Sequence, residues 1–399
     1  MKRPPRSAPD IDEPPIQVDR LRVALVHDWV TGLRGGERVL DELAGLYPSA
    51  DLYTLFYRPG TTTDRIDQLR VESSALDRLP GVQSHRTALL PLFPWAIERF
   101  ELSGYDVVIS TSHAVAKGVR VATGIPHLCY CFTPMRYIWE QTDVYIGRGF
   151  RRAAAAPLLA YLRHFDRRTA TPDRVTRFCA ISQTVSDRIR RHYGRTSSIV
   201  YPPVATERII PTGMPAKDYF LMVAAFVPYK REKIAIDAFR RLGTRLIVVG
   251  DGPGRDRMTD AAGRHIEFIG RVSDAELADL YAGCRALIFP SEEDFGIVPV
   301  EAQAAGRPVI AFGSGGATET VIGWTATDPD PRGPTGVLFH RQTADAVVDA
   351  VRHFEAIESD FDPIRIRANA ERFDSARFCE AIIEEVAATK AMEPGAGAL

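Results

Sequence analysis

Two carboxylates eight residues apart, Glu293 and Glu301, flank a glycine in the stretch PSEEDFGIVPVEAQAAGRPVIAFGSGGATETV, which runs from Pro290 to Val321. The spacing predicts a strand ending just before it, Glu293 in a loop, and a close backbone turn at Gly296. A helix follows from near Ile297, with Pro299 in its first turn, where a missing N–H costs little. Glu301 then lies one turn inside. The amides of Phe295, Gly296 and Ile297 at such a helix start would face a diphosphate, helped by the positive end of the helix dipole. A carboxylate accepts two neighbouring hydrogen bonds, so a pair of them beside an anion site suits the vicinal hydroxyls of a sugar and of a ribose. Taken alone, the spacing favours an acidic cluster that merely complements the dipole.

The elements that must carry these residues alternate along the chain. Leu21–His27 reads as a buried parallel strand, the loop Asp28–Gly36 follows, and a helical pattern runs from Glu37 to Leu46 before a second strand at Asp51–Phe56. That is a βαβ unit. Further strands are predicted at Tyr105–Ile109, His127–Cys131, Arg177–Ile181 and Ser198–Tyr201. A second series occupies Tyr219–Ala224, Arg245–Val249, His265–Ile269, Ala286–Phe289 and Pro308–Ala311. The organisation expected is a disordered tail over 1–19, an α/β domain over 20–203, a Pro-rich linker over 204–217 and a second α/β domain over 218–372. A helical segment over 373–392 and a tail over 393–399 complete the chain. Two parallel-sheet domains joined by a hinge place a ligand between the carboxyl ends of their strands.

Composition agrees with two domains, since 399 residues exceed what one core serves. Balanced charge, 50 Lys+Arg against 51 Asp+Glu, argues against a nucleic-acid-binding protein. No apolar run is long enough to span a bilayer and no signal peptide is visible, so a cytoplasmic protein is expected. Five cysteines, an odd and sparse number, fit reduced thiols. Cys129 and Cys131 would share one face of a strand as buried thiols rather than as metal ligands.

The segments FLMVAAFVPYKREKIAIDAF, VVGDGP, FIGRVSDAELADLY and FPSEEDFGIVPVEAQAAGRPVIA stand in order between Phe220 and Ala311. Together they resemble the nucleotide-sugar domain of retaining glycosyltransferases of family 4. RVALVHDWVTGLRGGERVL, GYDVVISTSHAVAKGV and CYCFTPMRYIWE in the first domain resemble the branch of bacterial O-antigen and exopolysaccharide mannosyltransferases. The likeness covers most of residues 21–390. It implies the α/β GT-B fold, two Rossmann-like domains facing each other across a cleft, with the C-terminal helix returning to the N-terminal domain. It also implies hexose transfer, with retention and without metal or other cofactor, from a nucleotide-diphosphate sugar, GDP-mannose by branch. The acceptor would be a saccharide or a lipid-linked glycan of cell-surface polysaccharide synthesis.

Roles follow by matching position. Gly35 and Gly36 resemble the glycine pair that lets the backbone approach the donor diphosphate. Lys230 resembles the lysine that binds the leaving diphosphate, with Arg231 beside it. Glu293 resembles the glutamate on the donor-sugar hydroxyls, and Glu301 the one on the ribose. His113 resembles the first-domain histidine near the reacting sugar, and Arg271 and Val272 lie where the backbone meets the nucleobase. Two positions depart from the pattern: Ala225 replaces an arginine common five residues before the lysine, and Phe132 replaces a histidine expected before Thr133–Pro134. Two rivals remain, a GT-B sugar-nucleotide epimerase and a non-catalytic nucleotide-sugar binding module.

Other motifs have blander readings. Gly250–Gly254 lacks dinucleotide-loop spacing, Asp328-Pro-Asp330 reads as a turn rather than a metal site, and Ser182 reads as a helix N-cap. The basic stretch 148–168 interleaves Arg with Leu, Phe and Tyr, and 89–100 carries Trp95 among apolar residues. Each is a surface element with a core stripe or a contact with anionic lipid at the inner face of a membrane.

Overall fold

Val23–His27 (β1) is buried at every position because its sheet is covered on both faces, as its unbroken apolar run requires. The computed structural model describes residues 21–392 except 146, 148, 212, 214, 228, 229, 261, 262 and 328. The tails at 1–19 and 393–399 and residue Asp328 of the Asp-Pro-Asp motif therefore lie outside the described residues.

β1 pairs in parallel with Asp51–Thr54 (β2) on one side, and β2 continues to Arg70–Ser73 (β3). On its other side stand Val107–Ser112 (β4), His127–Cys131 (β5), Arg177–Ala180 (β6) and Ser198–Ile199 (β7), giving the order β3-β2-β1-β4-β5-β6-β7. The second sheet repeats the plan. Phe220–Ala224 (β8) lies between Leu246–Gly250 (β9) and Leu287–Phe289 (β11), with Ile266–Gly270 (β10), Val309–Phe312 (β12) and Gly336–Phe339 (β13) outward, in the order β10-β9-β8-β11-β12-β13. In each sheet the direction of winding reverses beside the first strand, opening a crevice at the strands' carboxyl ends. The loops after β1 and β4 leave one crevice, those after β8 and β11 the other.

The helices that matter for the site are Gly35–Leu46 (α1), Phe150–Arg168 (α2) and Gln183–Tyr193 (α3) in the first domain. Glu232–Leu242 (α4), Asp274–Gly283 (α5), Ile297–Ala304 (α6), Ala344–Ile357 (α7) and Pro363–Ala370 (α8) serve the second. α4 and α7 cover the outer face of the second sheet, while one continuous apolar core joins its inner face to the first domain. Ser375–Ala391 (α9) packs on the N-terminal domain: Phe378 meets Tyr130 edge-on at 5.7 Å, and Arg177 donates to Glu385 at 2.6 Å. The two chain segments that pass between domains lie side by side, Val204 N–H donating to Phe373 C=O at 2.9 Å.

β3 and β13 were not expected as strands. Arg70–Ser73 alternates half-buried and exposed at a sheet edge, and Gly336–Phe339 is four residues long at the opposite edge of the other sheet. Arg70–Ser73 lacks the apolar run of an inner strand, and the run Val337–Phe339 is only three residues long. The C-x-C thiols at Cys129 and Cys131 are buried on β5, with Cys179 and Cys284 also buried and Cys379 half-buried. Ser182 caps α3, its Oγ accepting from Val185 N–H at 3.2 Å.

Candidate functional site

The loop after β11 is held by contact too close for side chains. Glu293 C=O accepts from Gly316 N–H at 2.8 Å, and a Cβ on Gly315 would lie 2.4 Å from that same oxygen. Gly296 turns at φ +92°, in the left-handed region that glycine alone enters cheaply, and α6 starts at the next residue. The Glu293 carboxylate accepts from Ser291 Oγ at 2.9 Å and pairs with the Lys230 ammonium through the same oxygen. Glu301, one turn into α6, receives the Tyr281 hydroxyl at 2.7 Å, and burial raises its carboxyl above the ordinary range. Asn369 of α8 and Gln303 of α6 tie that helix to Thr320 C=O, each at 2.9 Å.

Across the cleft, Asp28 at the end of β1 organises the opposite loop. Its buried carboxylate accepts four backbone N–H groups, from His113 and Ala114 at 2.7 and 2.9 Å and from Val115 and Ala116 at 2.7 Å each. It also lies 3.1 Å from His113 Nδ1, which fixes the imidazole, and Trp29 stands edge-on to that ring at 4.5 Å. Behind the loop Lys117 reaches buried Asp166, which also receives Trp139 Nε1 at 2.7 Å and the Tyr193 hydroxyl at 2.9 Å. The start of α1 approaches α6 closely: a Cβ on Gly35 would stand 3.1 Å from Ile297 Cδ1. A Cβ on Gly36 would be 3.5 Å from both His27 and Phe132, in ordinary contact.

These two walls enclose a cleft of about 530 Å³ lined by His27, Gly35, Gly36, His113 and Phe132 on one side. Lys230, Glu293, Phe295, Gly296, Ile297 and Glu301 line the other. The structure thus brings together most of the residues singled out by sequence, and three lie elsewhere. Arg231 caps the start of α4 with an exposed side chain at φ +57°, outside the cleft lining. Arg271 is 84% exposed, 3.9 Å from Asp251, and Val272 packs against the core; neither lines the cleft. Sequence reasoning missed Asp28, Arg136, Arg188 and Asp294. Asp28 follows an apolar strand directly, a place where a carboxylate can cap a neighbouring loop, but its partners lie 85 to 88 residues away.

The other motifs fall into place. Gly250 and Gly252 admit the loop after β8, since a Cβ on either would lie 1.8 Å from Ala224 O and 2.1 Å from Ala225 O. Asp330 binds Arg332 within a turn at 2.7 Å, and among the described residues no group of three or more potential metal ligands occurs. Leu159, Leu162 and Phe165 of α2 are buried, whereas Phe150 and Tyr161 are 86% and 45% exposed. No helix among the described residues is long and apolar enough to cross a membrane.

Two histidines make the fold acid-sensitive. His27 bonds Thr111 Oγ1 at 2.7 Å, and His127 bonds Ser110 Oγ at 2.8 Å. Burial lowers each pKa from 6.5 to about 4. Between those limits the unfolded chain binds more protons than the native one, so stability is complete above pH 6.5 and declines as pH falls toward 4. Each ring should cost about 2 kcal/mol at pH 5 relative to pH 7. Urea unfolding at the two pH values checks this, and equal midpoints would contradict it.

Comparisons with known proteins place the chain's similarities among glycosyltransferases. Residues 33–208 match the family model described as Glycosyltransferase Family 4, and residues 210–372 match that of Glycosyl transferases group 1. An uncharacterised glycosyltransferase of Methanocaldococcus jannaschii is 32% identical over 147 residues, 36% of this chain and 41% of that protein. A GDP-mannose-dependent alpha-(1-6)-phosphatidylinositol monomannoside mannosyltransferase of Mycobacterium tuberculosis is 32% identical over 204 residues, 43% of this chain and 50% of that protein. The chain thus spans less than two thirds of the length of these relatives. Sucrose-phosphate synthase of Thermosynechococcus elongatus shares the fold at TM-score 0.68 and 17% identity, over 92% of this chain and 99% of that one.

Proposed function

Because its two halves belong to glycosyltransferase domain families and fold as GT-B, we propose that the chain transfers a hexose from a nucleotide-diphosphate sugar to a saccharide or lipid-linked acceptor. The observation that carries this reading is the Lys230–Glu293 pair beside the α6 N-terminus, facing Gly35, Gly36 and His113 across one cleft. In this reading the donor diphosphate lies between the starts of α1 and α6, and Lys230 meets it as Glu293 turns to the sugar hydroxyls. Charge that builds on the leaving phosphate is met by an ammonium and by backbone dipoles already in place. The acceptor hydroxyl attacks on the face the diphosphate leaves, its proton passing to a phosphate oxygen, so configuration is retained. His113 positions a sugar hydroxyl. No step calls for a metal or another cofactor.

Mannose from GDP-mannose is the donor we favour. The branch resemblance supports it, as does the relative named for that donor. Glu301 also lines a second cavity of about 340 Å³ with Asp274, Leu277, Ala278 and Tyr281. A ribose on Glu301 would direct its base there, and a carboxylate such as Asp274 accepts the paired N–H donors that guanine alone presents among the common bases. A thermal-shift panel of GDP, UDP, ADP and their sugars tests the choice, because selective binding raises the melting temperature. Transfer assays then separate the rivals: conversion of donor to an epimer without acceptor, or donor binding without turnover, would overturn the transferase reading.

A lipid-linked acceptor would place the protein on the inner face of a membrane. Phe150 and Tyr161 on α2, with Leu92 and Trp95 at 44% and 45% exposure, supply apolar side chains, and Arg152 and Arg99 supply charge. Flotation with vesicles containing anionic lipid should exceed that with neutral vesicles, and Trp95→Ala with Phe150→Ser should abolish the difference. Equal recovery of the unaltered protein from both vesicle types would reject the contact.

A further inference from the structure

Asp294 stands between Glu293 and Phe295, and its carboxylate turns across the cleft to the other domain. One oxygen pairs with Arg188 of α3, and the other lies 3.4 Å from Arg136. Arg188 also donates to Thr133 Oγ1 at 3.2 Å, and the side chains of Arg188 and Asp294 are only 9% and 13% exposed. An ion pair buried to this degree is costly to form unless both partners are fully engaged. A second grip falls on the same helix: Glu319 accepts from Gln183 N–H at 2.8 Å, Thr184 N–H at 3.2 Å and Thr184 Oγ1 at 3.3 Å. Thr184 and Arg188 are four residues apart, so both grips take one face of α3. The two gripping segments are themselves joined by the Gly316–Glu293 hydrogen bond. Arg136, Arg188, Asp294 and Glu319 carry charge, and the Gln183 and Thr184 groups are polar, so water would receive every group of these contacts if the domains parted.

We propose that Asp294 is a positioning residue: Arg188 and Arg136, within reach only when the domains are closed, hold its carboxylate and thereby fix the loop that carries Glu293 and begins α6. The rate consequences rest on the transferase reading, whereas the effect on closure does not. A displaced loop misplaces the reacting sugar, and errors near 1 Å can cost about 10²-fold in rate. Asp294→Asn should lower kcat by about 10²-fold and leave the donor KM within about threefold, because Lys230 and the α6 amides remain. The double variant Arg188→Met with Asp294→Leu removes the closer pair and with it the latch, leaving Arg136 without Asp294; melting curves verify that it folds. Small-angle scattering of the ligand-free proteins should give a larger radius of gyration for both variants than for the unaltered chain. A double variant that transfers within threefold of the unaltered protein, or unchanged radii of gyration, would overturn the proposal. Should the unaltered protein transfer no hexose at all, the transferase reading fails and scattering still decides the latch.

Discussion

Lys230→Met should lower the rate of hexose transfer by about 10³-fold, the loss expected when one preorganised charge is removed from a developing oxyanion. Methionine keeps much of the side chain's length and apolar stem, so the change isolates the ammonium. Its first consequence is local: Glu293 loses its cationic partner and keeps the Ser291 hydroxyl. Its second is chemical. The leaving diphosphate gains negative charge as the glycosidic bond lengthens, and the start of α6 alone must then bear it. Donor affinity should fall less than kcat, since the ground-state diphosphate still meets the helix amides. Lys230→Arg, which keeps the charge but changes its shape and reach, should lie between. Single-turnover measurement of the glycosylated product resolves these differences. A methionine variant within tenfold of the original rate would remove Lys230 from the chemistry.

Asp28→Asn carries the second large expected effect, on stability and activity together. The substitution is nearly isosteric, yet it replaces an acceptor-only carboxylate with a group that has one acceptor oxygen and one donor nitrogen. Four buried backbone N–H groups converge on Asp28, two on each oxygen. At least two of them must then face an N–H₂ group, and leaving buried donors unpaired costs about 3 kcal/mol in total. The same carboxylate orients His113, so the imidazole should lose its fixed direction toward the cleft. Denaturant unfolding should show the destabilisation. Transfer by the remaining folded enzyme should fall by about 10²-fold, the penalty for a misplaced reacting group. A variant as stable as the original would show that loop 113–116 is held by something else.

The second domain was the more legible from sequence because its signals are local. Gly296, Pro299 and the apolar run before them mark a strand, a turn and a helix start within the short stretch Ala286–Pro299, and α6 begins at Ile297 where that pattern places it. Ser182 likewise announces its own helix, because a cap and the amide it receives are three residues apart. Contacts between distant segments leave no such mark. The partners of Asp28 lie in another loop, and Arg188 and Asp294 are separated by 106 positions. Nothing in the neighbourhood of either arginine or aspartate distinguishes it from a solvated charge. β3 and β13 escaped for a different reason: an edge strand needs only one partner and can be short or polar. Arg231 and Arg271 show the converse limit. Position relative to a motif says where the backbone runs, whereas the side chains of both residues extend into solvent.

The paired passages at Val204 and Phe373 also constrain how the halves can move. With both connections tethered at one place, displacement there is nearly nil and grows with distance from it, so the motion available is a swing about a fixed axis rather than a slide. Transplanting a foreign C-terminal half would therefore require exchanging the chain at both junctions while leaving α9 with the N-terminal half it packs against. A graft made at Val204 alone would bring a mismatched final helix to that surface.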